Sequence, residues 1–191
     1  YEHSEIFFGC HHRFATNEAL VEHLVATVPD DMVLALTDHP LNRRHGSDAW
    51  MTARLPEWHG RVVLVPESAA QSNVTNLLAR HCDGMIFQNS RAFTAAAFFG
   101  KPLLRLSHRP SAAWLRAYDD VAAFVAEVRA DAARVPDPAA LRRWFAWHLA
   151  DEVFDPRRDG AEAMLARITQ PYDPARWQAW RESSPEMQWC K

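Results

Sequence analysis

The sequence predicts an α/β fold, a parallel sheet flanked by helices with a C-terminal helical extension. Three observations lead there. Short apolar runs alternate with amphipathic helical patterns over the first two thirds of the chain. Those runs carry apolar residues on both faces, as strands covered by helices do. Beyond about Ser111 the short runs cease and only helical periodicity remains. The expected organisation is a core over residues 1–110 and a helical extension over 111–191 packed on the same domain.

Taken in order, Ile6-Phe7-Phe8 reads as the first strand, ending at Gly9 and the polar cluster Cys10-His11-His12-Arg13. Thr16 or Asn17 can cap the helix that follows, whose apolar stripe is Leu20, Val21, Leu24, Val25 and Val28. Met32 to Leu36 reads as a buried strand stopped by Thr37-Asp38-His39-Pro40, with a helix near Asp48–Trp58 after a polar loop. Arg61 to Val65 is the third strand, ending at Pro66-Glu67, and Ser72 caps a helix carrying Val74, Leu77 and Leu78. Met85-Ile86-Phe87 is the fourth strand, ending at Gln88-Asn89-Ser90. Ser90 is the expected cap of a small-residue helix over Arg91–Phe99, closed by Gly100. Its Ala92, Ala95 and Ala96 suit a close approach to the sheet. Leu103 to Leu106 is the fifth strand. In the extension, helices are expected over Val121–Val128, Leu141–Phe154 and Glu162–Ile168, and the tryptophans there read as packing residues.

Composition narrows the function classes. The chain has 191 residues, 48% of them hydrophobic, which is enough for a core. A formal net charge of -3 argues against nucleic acid as the partner, because a phosphate backbone calls for a net basic face. Cys10, Cys82 and Cys190 are odd in number and widely spaced, so neither a disulfide framework nor a zinc knuckle is expected. No apolar run reaches the length of a membrane span. The chain opens on Tyr1 rather than Met, and the expectation is a fragment of something longer.

Open parallel sheets bind ligands outside the carboxyl ends of their strands. The residues just after the strands are therefore the candidates: His11, His12 and Arg13; Asp38 and His39; Glu67 and Ser68; Asn89 and Ser90; Ser107, His108 and Arg109. His39 can donate to a phosphate from a turn fixed by Pro40. It can equally be a capping histidine. Ser90 and the helix start after it offer donors to an anion, though serine is also the ordinary N-cap. Glu67 can accept from both ribose hydroxyls, or simply face solvent. His12 and Arg13 can contact a phosphate or a sugar, or form a plain polar loop. Adjacent histidines on extended chain point apart, so a metal site there is not expected.

The order His39-Pro40, Glu67 at 28 residues further and Ser90 at 23 beyond that resembles the donor-nucleotide domain of bacterial capsule enzymes. These are the Kdo transferases of capsule polysaccharide biosynthesis and the bacterial sialyltransferases of the GT-B fold. The run Asp83 to Ser90, then Ala95-Ala96, then Gly100-Lys101-Pro102-Leu103, is similar to their serine motif and the strand entry after it. The likeness covers about residues 5 to 110. Asn89 stands where many relatives have a second hydroxyl residue, and Asp38 where they often have a basic one.

The resemblance implies a Rossmann-like GT-B half that binds a nucleotide sugar, expected to be CMP-linked. His39 and Ser90 would hold the phosphate and Glu67 the ribose, with Asn89, Arg13 and His12 as further nucleotide contacts. His39 would act in catalysis by stabilising the leaving phosphate. No cofactor and no metal are expected. A glycan acceptor and a preceding N-terminal GT-B half are the implied partners. The expected location is cytoplasmic, extending to peripheral association at the inner face of the membrane. Two alternatives belong to other classes: a sugar-nucleotide epimerase-like domain, and a non-enzymatic α/β ligand-binding or interaction module.

Overall fold

A computed structural model describes residues 11–37, 49–65, 74–149, 154–155, 157–171, 173–175 and 178. Among the described residues it is a mixed α/β structure of seven α-helices and four short strands. The order is α1 (Asn17–Thr27), β1 (Leu34–Leu36), α2 (Ala49–Arg54), β2 (Val62–Leu64), α3 (Val74–His81), β3 (Met85–Phe87), α4 (Phe93–Phe98), β4 (Leu103–Arg105), α5 (Val121–Arg129), α6 (Pro138–Trp147) and α7 (Ala161–Thr169). No helix among these residues is long and apolar enough to cross a membrane.

The strands pair in parallel but in two separate ladders. β1 pairs with β2, Leu34 opposite Val62, and β3 pairs with β4, Met85 opposite Leu103. One five-stranded sheet was the expectation, and among the described residues two two-stranded sheets stand in its place. The expected first strand, Ile6 to Phe8, lies outside the described residues. Burial tells the two ladders apart. Leu103 and Leu104 of β4 are fully buried, whereas Val63 of β2 is 47% exposed and Ala35 of β1 is also exposed. The β1–β2 ladder therefore covers one face only, and the expectation of a fully buried strand at Met32–Leu36 is corrected.

β4 is the best-enclosed strand. Beyond β3, its other edge is met by the chain at Tyr118. Arg105 N–H donates to Tyr118 O at 2.8 Å, and Tyr118 N–H donates to Leu103 O at 2.8 Å. Tyr118, Leu104 and Leu106 join Leu24 of α1, Val28 just after it, and Val121, Phe124 and Val125 of α5 in one apolar cluster. A second cluster joins Phe87 and Leu103 to Ala96 and Ala97 of α4 and to Ala140, Leu141 and Trp144 of α6. Both clusters mix residues from either side of position 110.

Local chemistry explains most element ends. Thr16 caps α1 by accepting from Ala19 N–H at 3.1 Å. Asp120 caps α5 through Ala123 N–H at 2.8 Å. Asp137 caps α6 through Ala139 and Ala140, with Pro138 in the first turn. Gly100, at φ 65°, closes α4: its N–H reaches Ala97 O and Lys101 N–H reaches Ala96 O, the paired bonds of a Schellman motif.

Three helix expectations are corrected. The helix expected over Asp48–Trp58 is α2 followed by a 3-10 turn at Leu55–Trp58, because Pro56 supplies no N–H. That expected over Arg91–Phe99 starts at Phe93; of its expected face Ala96 is fully buried and Ala95 packs against the core, Ala92 lies ahead of the helix, and Ala97 is buried as well. That expected over Leu141–Phe154 begins earlier, at Pro138; α6 runs to Trp147, His148 and Leu149 continue it as a π-helical turn, and residues 150–153 lie outside the described residues.

Candidate functional site

β3 and β4 run parallel and in register, so their carboxyl ends lie side by side. The residues after them, Asn89 and Ser107, meet there. Ser107 Oγ lies 3.0 Å from Asn89 Oδ1 and 2.9 Å from the carbonyl of His11. One hydroxyl proton serves two acceptors, so it donates to either in turn. The same oxygen accepts from Arg109 N–H at 3.1 Å. His12 forms an antiparallel bridge with Ser107, and His108 N–H donates to His11 O at 2.8 Å. The histidine segment is thus stitched to the end of β4, and His12 is buried.

Arg105 organises this end of the ladder. Its Nε donates to Gln88 O at 3.1 Å, Nη1 to Pro110 O at 2.9 Å and Nη2 to Asn89 Oδ1 at 3.2 Å. Because Arg105 only donates, the Asn89 atom facing it is the oxygen, which fixes the amide orientation. Asn89 Nδ2 is consequently turned away, buried and without a hydrogen-bond partner among the described residues.

Beyond the strand end opens a cavity of about 480 Å³, lined by Arg13, Arg105, His108, Arg109, Tyr118 and Arg134 among others. Arg13 Nη1 donates to the carbonyl of Asp119 at 2.6 Å, which holds it at the rim. The Arg134 guanidinium lies 4.1 Å from the centre of the Tyr118 ring. Tyr118 is 2% exposed, donates its hydroxyl to Glu127 and accepts from Arg134 N–H at 2.8 Å. Burial, and then the Glu127 carboxylate, push its phenol above the ordinary 10.0.

Of the residues singled out in the sequence, His12, Arg13 and Asn89 are brought together. Ser90 follows Asn89, but its hydroxyl accepts from Ala92 N–H at 3.2 Å, and α4 begins only at Phe93 with no side-chain cap. The expected Ser90 N-cap is corrected: the hydroxyl closes a tight turn ahead of the helix. His39 and Glu67, with Asp38 and Ser68, lie outside the described residues. Arg105 and Arg134 were missed. Arg105 carried a signal, being a charged residue inside an otherwise apolar strand. Arg134 carried none, since it stands 29 residues further along the sequence in the extension.

Among the described residues no group of three or more His, Cys, Asp or Glu is placed to hold a metal ion. Cys82, a free thiol, is pushed up from its ordinary value by burial, which disfavours the nucleophilic thiolate. Comparison with protein-family models, with curated proteins and with solved structures finds no match to this chain.

Proposed function

We propose that this chain is a Rossmann-like nucleotide-sugar-binding domain, the donor half of a GT-B glycosyltransferase of bacterial surface polysaccharide synthesis that uses a CMP-linked sugar. The observation that carries the reading is the meeting of Asn89, Ser107 and the His12-Arg13 segment at the carboxyl ends of two adjacent parallel strands. Donors and cations gather there, and the buried Asn89 Nδ2 has no hydrogen-bond partner among the described residues.

In this reading His39 and Ser90 hold the phosphate next to the bond that breaks. Charge develops on that phosphate as the glycosyl group departs, and donors fixed in advance stabilise it. Glu67 accepts from the ribose hydroxyls. A preceding GT-B half supplies the glycan acceptor and the groups that activate it, at the cytoplasmic face of the membrane.

Calorimetry of the 191-residue chain with CMP, UDP and GDP tests the proposal. CMP binding above the other two is the expected result. UDP binding without CMP binding moves the reading to a UDP-sugar enzyme, and binding of none of the three sinks it.

A further inference from the structure

We propose that the arginine-lined cavity beyond β4 is a phosphate-binding site for a small organic phosphate, formed by Arg109, Arg134 and Arg13. The site shares Arg13 with the nucleotide-sugar reading, but the inference does not depend on that reading's phosphate and ribose contacts at His39, Ser90 and Glu67.

Charge is the first argument. Four arginines line this cavity against one carboxylate residue, Asp119, in a chain whose net charge is -3. Elsewhere the guanidinium groups of Arg54, Arg61, Arg116, Arg129 and Arg158 are each held by a carboxylate. Arg13, Arg109 and Arg134 have no such ion pair among the described residues. Arg13 is tied to a carbonyl, Arg134 lies on the Tyr118 ring, and the Arg109 side chain has no hydrogen-bond partner among those residues. Three exposed cations converge without their counter-charge, at a cost in mutual repulsion that a bound anion removes.

Rigidity is the second. Arg109 follows a strand end fixed through Ser107, Arg13 is anchored across 106 residues of sequence to Asp119, and Arg134 is fixed by its backbone N–H on Tyr118 OH. The Arg13 and Arg134 guanidinium groups and the backbone that carries Arg109 are therefore held in advance, which lowers part of the entropy lost on binding. Size and lining give the ligand class. About 480 Å³ exceeds what a bare phosphate fills and falls within the usual range for small-molecule sites. The lining is mostly polar, and the aromatic ring at the site, Tyr118, is already covered by Arg134. A phosphate ester of a hydroxyl-rich molecule suits it better than a flat apolar one.

Calorimetry of the full chain with inorganic pyrophosphate, glucose 1-phosphate and CMP tests the site, with Arg142→Ala, an exposed arginine on α6, as the charge-matched control. Arg109→Ala and Arg134→Ala are each expected to weaken pyrophosphate roughly ten- to a hundred-fold, and Arg142→Ala to leave it unchanged. Arg109 is exposed, so its variant is expected to melt with the wild type; Arg13→Ala gives an independent second reading. No pyrophosphate binding to the wild type overturns the proposal. So does an equal loss in Arg109→Ala and Arg142→Ala, which would mean diffuse attraction without a site. Tighter glucose 1-phosphate than CMP identifies a sugar phosphate as the source of the phosphate, and the reverse identifies a nucleotide. Pyrophosphate binding with no nucleotide binding keeps this site and removes the donor-domain reading alone.

Discussion

Asn89 Oδ1 accepts hydrogen bonds from both Ser107 Oγ, at 3.0 Å, and Arg105 Nη2, at 3.2 Å, and so ties the carboxyl end of β3 to that of β4. Asn89→Ala removes the acceptor of the half-buried Arg105 Nη2 bond and the tie between the two strand ends, while the Ser107 hydroxyl keeps the His11 carbonyl. The expected loss is about 1–3 kcal/mol in denaturant unfolding. Asn89→Asp keeps the acceptor and adds a negative charge beside Arg105. It is expected to retain most of the stability while weakening pyrophosphate binding. Unchanged binding in Asn89→Asp would separate Asn89 from the cavity electrostatically.

His39→Ala and Ser90→Ala each remove one hydrogen bond to a charged phosphate in the proposed donor site. Nucleotide affinity should fall roughly ten- to a hundred-fold for each. Glu67→Ala should weaken a ribonucleotide more than the matching 2′-deoxynucleotide, because the lost partner is a ribose hydroxyl. Equal losses for both sugars would remove Glu67 from the ribose. Normal binding by a folded His39→Ala chain would leave His39 as a turn residue.

Local chemistry was the legible part. Thr16 before the stripe of Val21 and Leu24, and Gly100 after the alanine helix, are sequence signals with short-range causes, and both behave in the structure as those causes require. The sheet was less legible. Three-residue strands such as Leu34–Leu36 carry too little pattern to say which neighbours they pair with, so one continuous sheet could not be told from two ladders. The cavity was least legible. Arg13 and Asp119 meet across 106 residues and Arg134 comes from the extension, and no periodicity links them.

Gly84 sits where β3 begins, against the ring of Phe124. A Cβ built there would lie 2.6 Å from Phe124 Cζ and 3.3 Å from Pro102 O. Phe124 is 4% exposed within the α1–α5 cluster, so its ring has little room to withdraw. Gly84→Ala is expected to cost about 1–3 kcal/mol through overpacking. Its melting temperature should recover in part when Phe124→Leu is added. No recovery in the double variant would mean that Pro102, not Phe124, sets the limit.

Hydrogen bonds from Ala140 N–H, and then Ala139 N–H, hold the Asp137 carboxyl below its ordinary 3.8, with Arg116 adding attraction. A folded value below the unfolded one stabilises the protein above the unfolded value, and the gain disappears as pH falls through the folded value. The α6 cap should therefore weaken below about pH 4. Asp137→Asn should lower stability at neutral pH and flatten the acid limb of the stability profile. An acid limb identical to the wild type would assign that limb to other carboxylates, with Asp159 next in line, since the Asp155 N–H lowers it in the same way.

Tyr118 is expected to govern the opposite limb. Its phenol is raised above the ordinary 10.0 by burial and by its hydrogen bond to Glu127. The folded state keeps this proton after the unfolded chain has begun to lose its own. The stabilisation is complete below the unfolded value and is lost as pH rises from there through the raised folded value. Tyrosinate absorbance of the folded chain should show one tyrosine titrating late, and stability should decline above about pH 10. Tyr118→Phe should remove the late titration and part of that decline. It also leaves Arg134 N–H without its acceptor, and the segment carrying Arg134 should loosen. Pyrophosphate affinity should therefore fall in Tyr118→Phe although the lost hydroxyl is already committed to Glu127 and Arg134. A variant that lost the late titration yet bound pyrophosphate as tightly as wild type would show that Arg134 is held by its contact on the ring, which phenylalanine keeps.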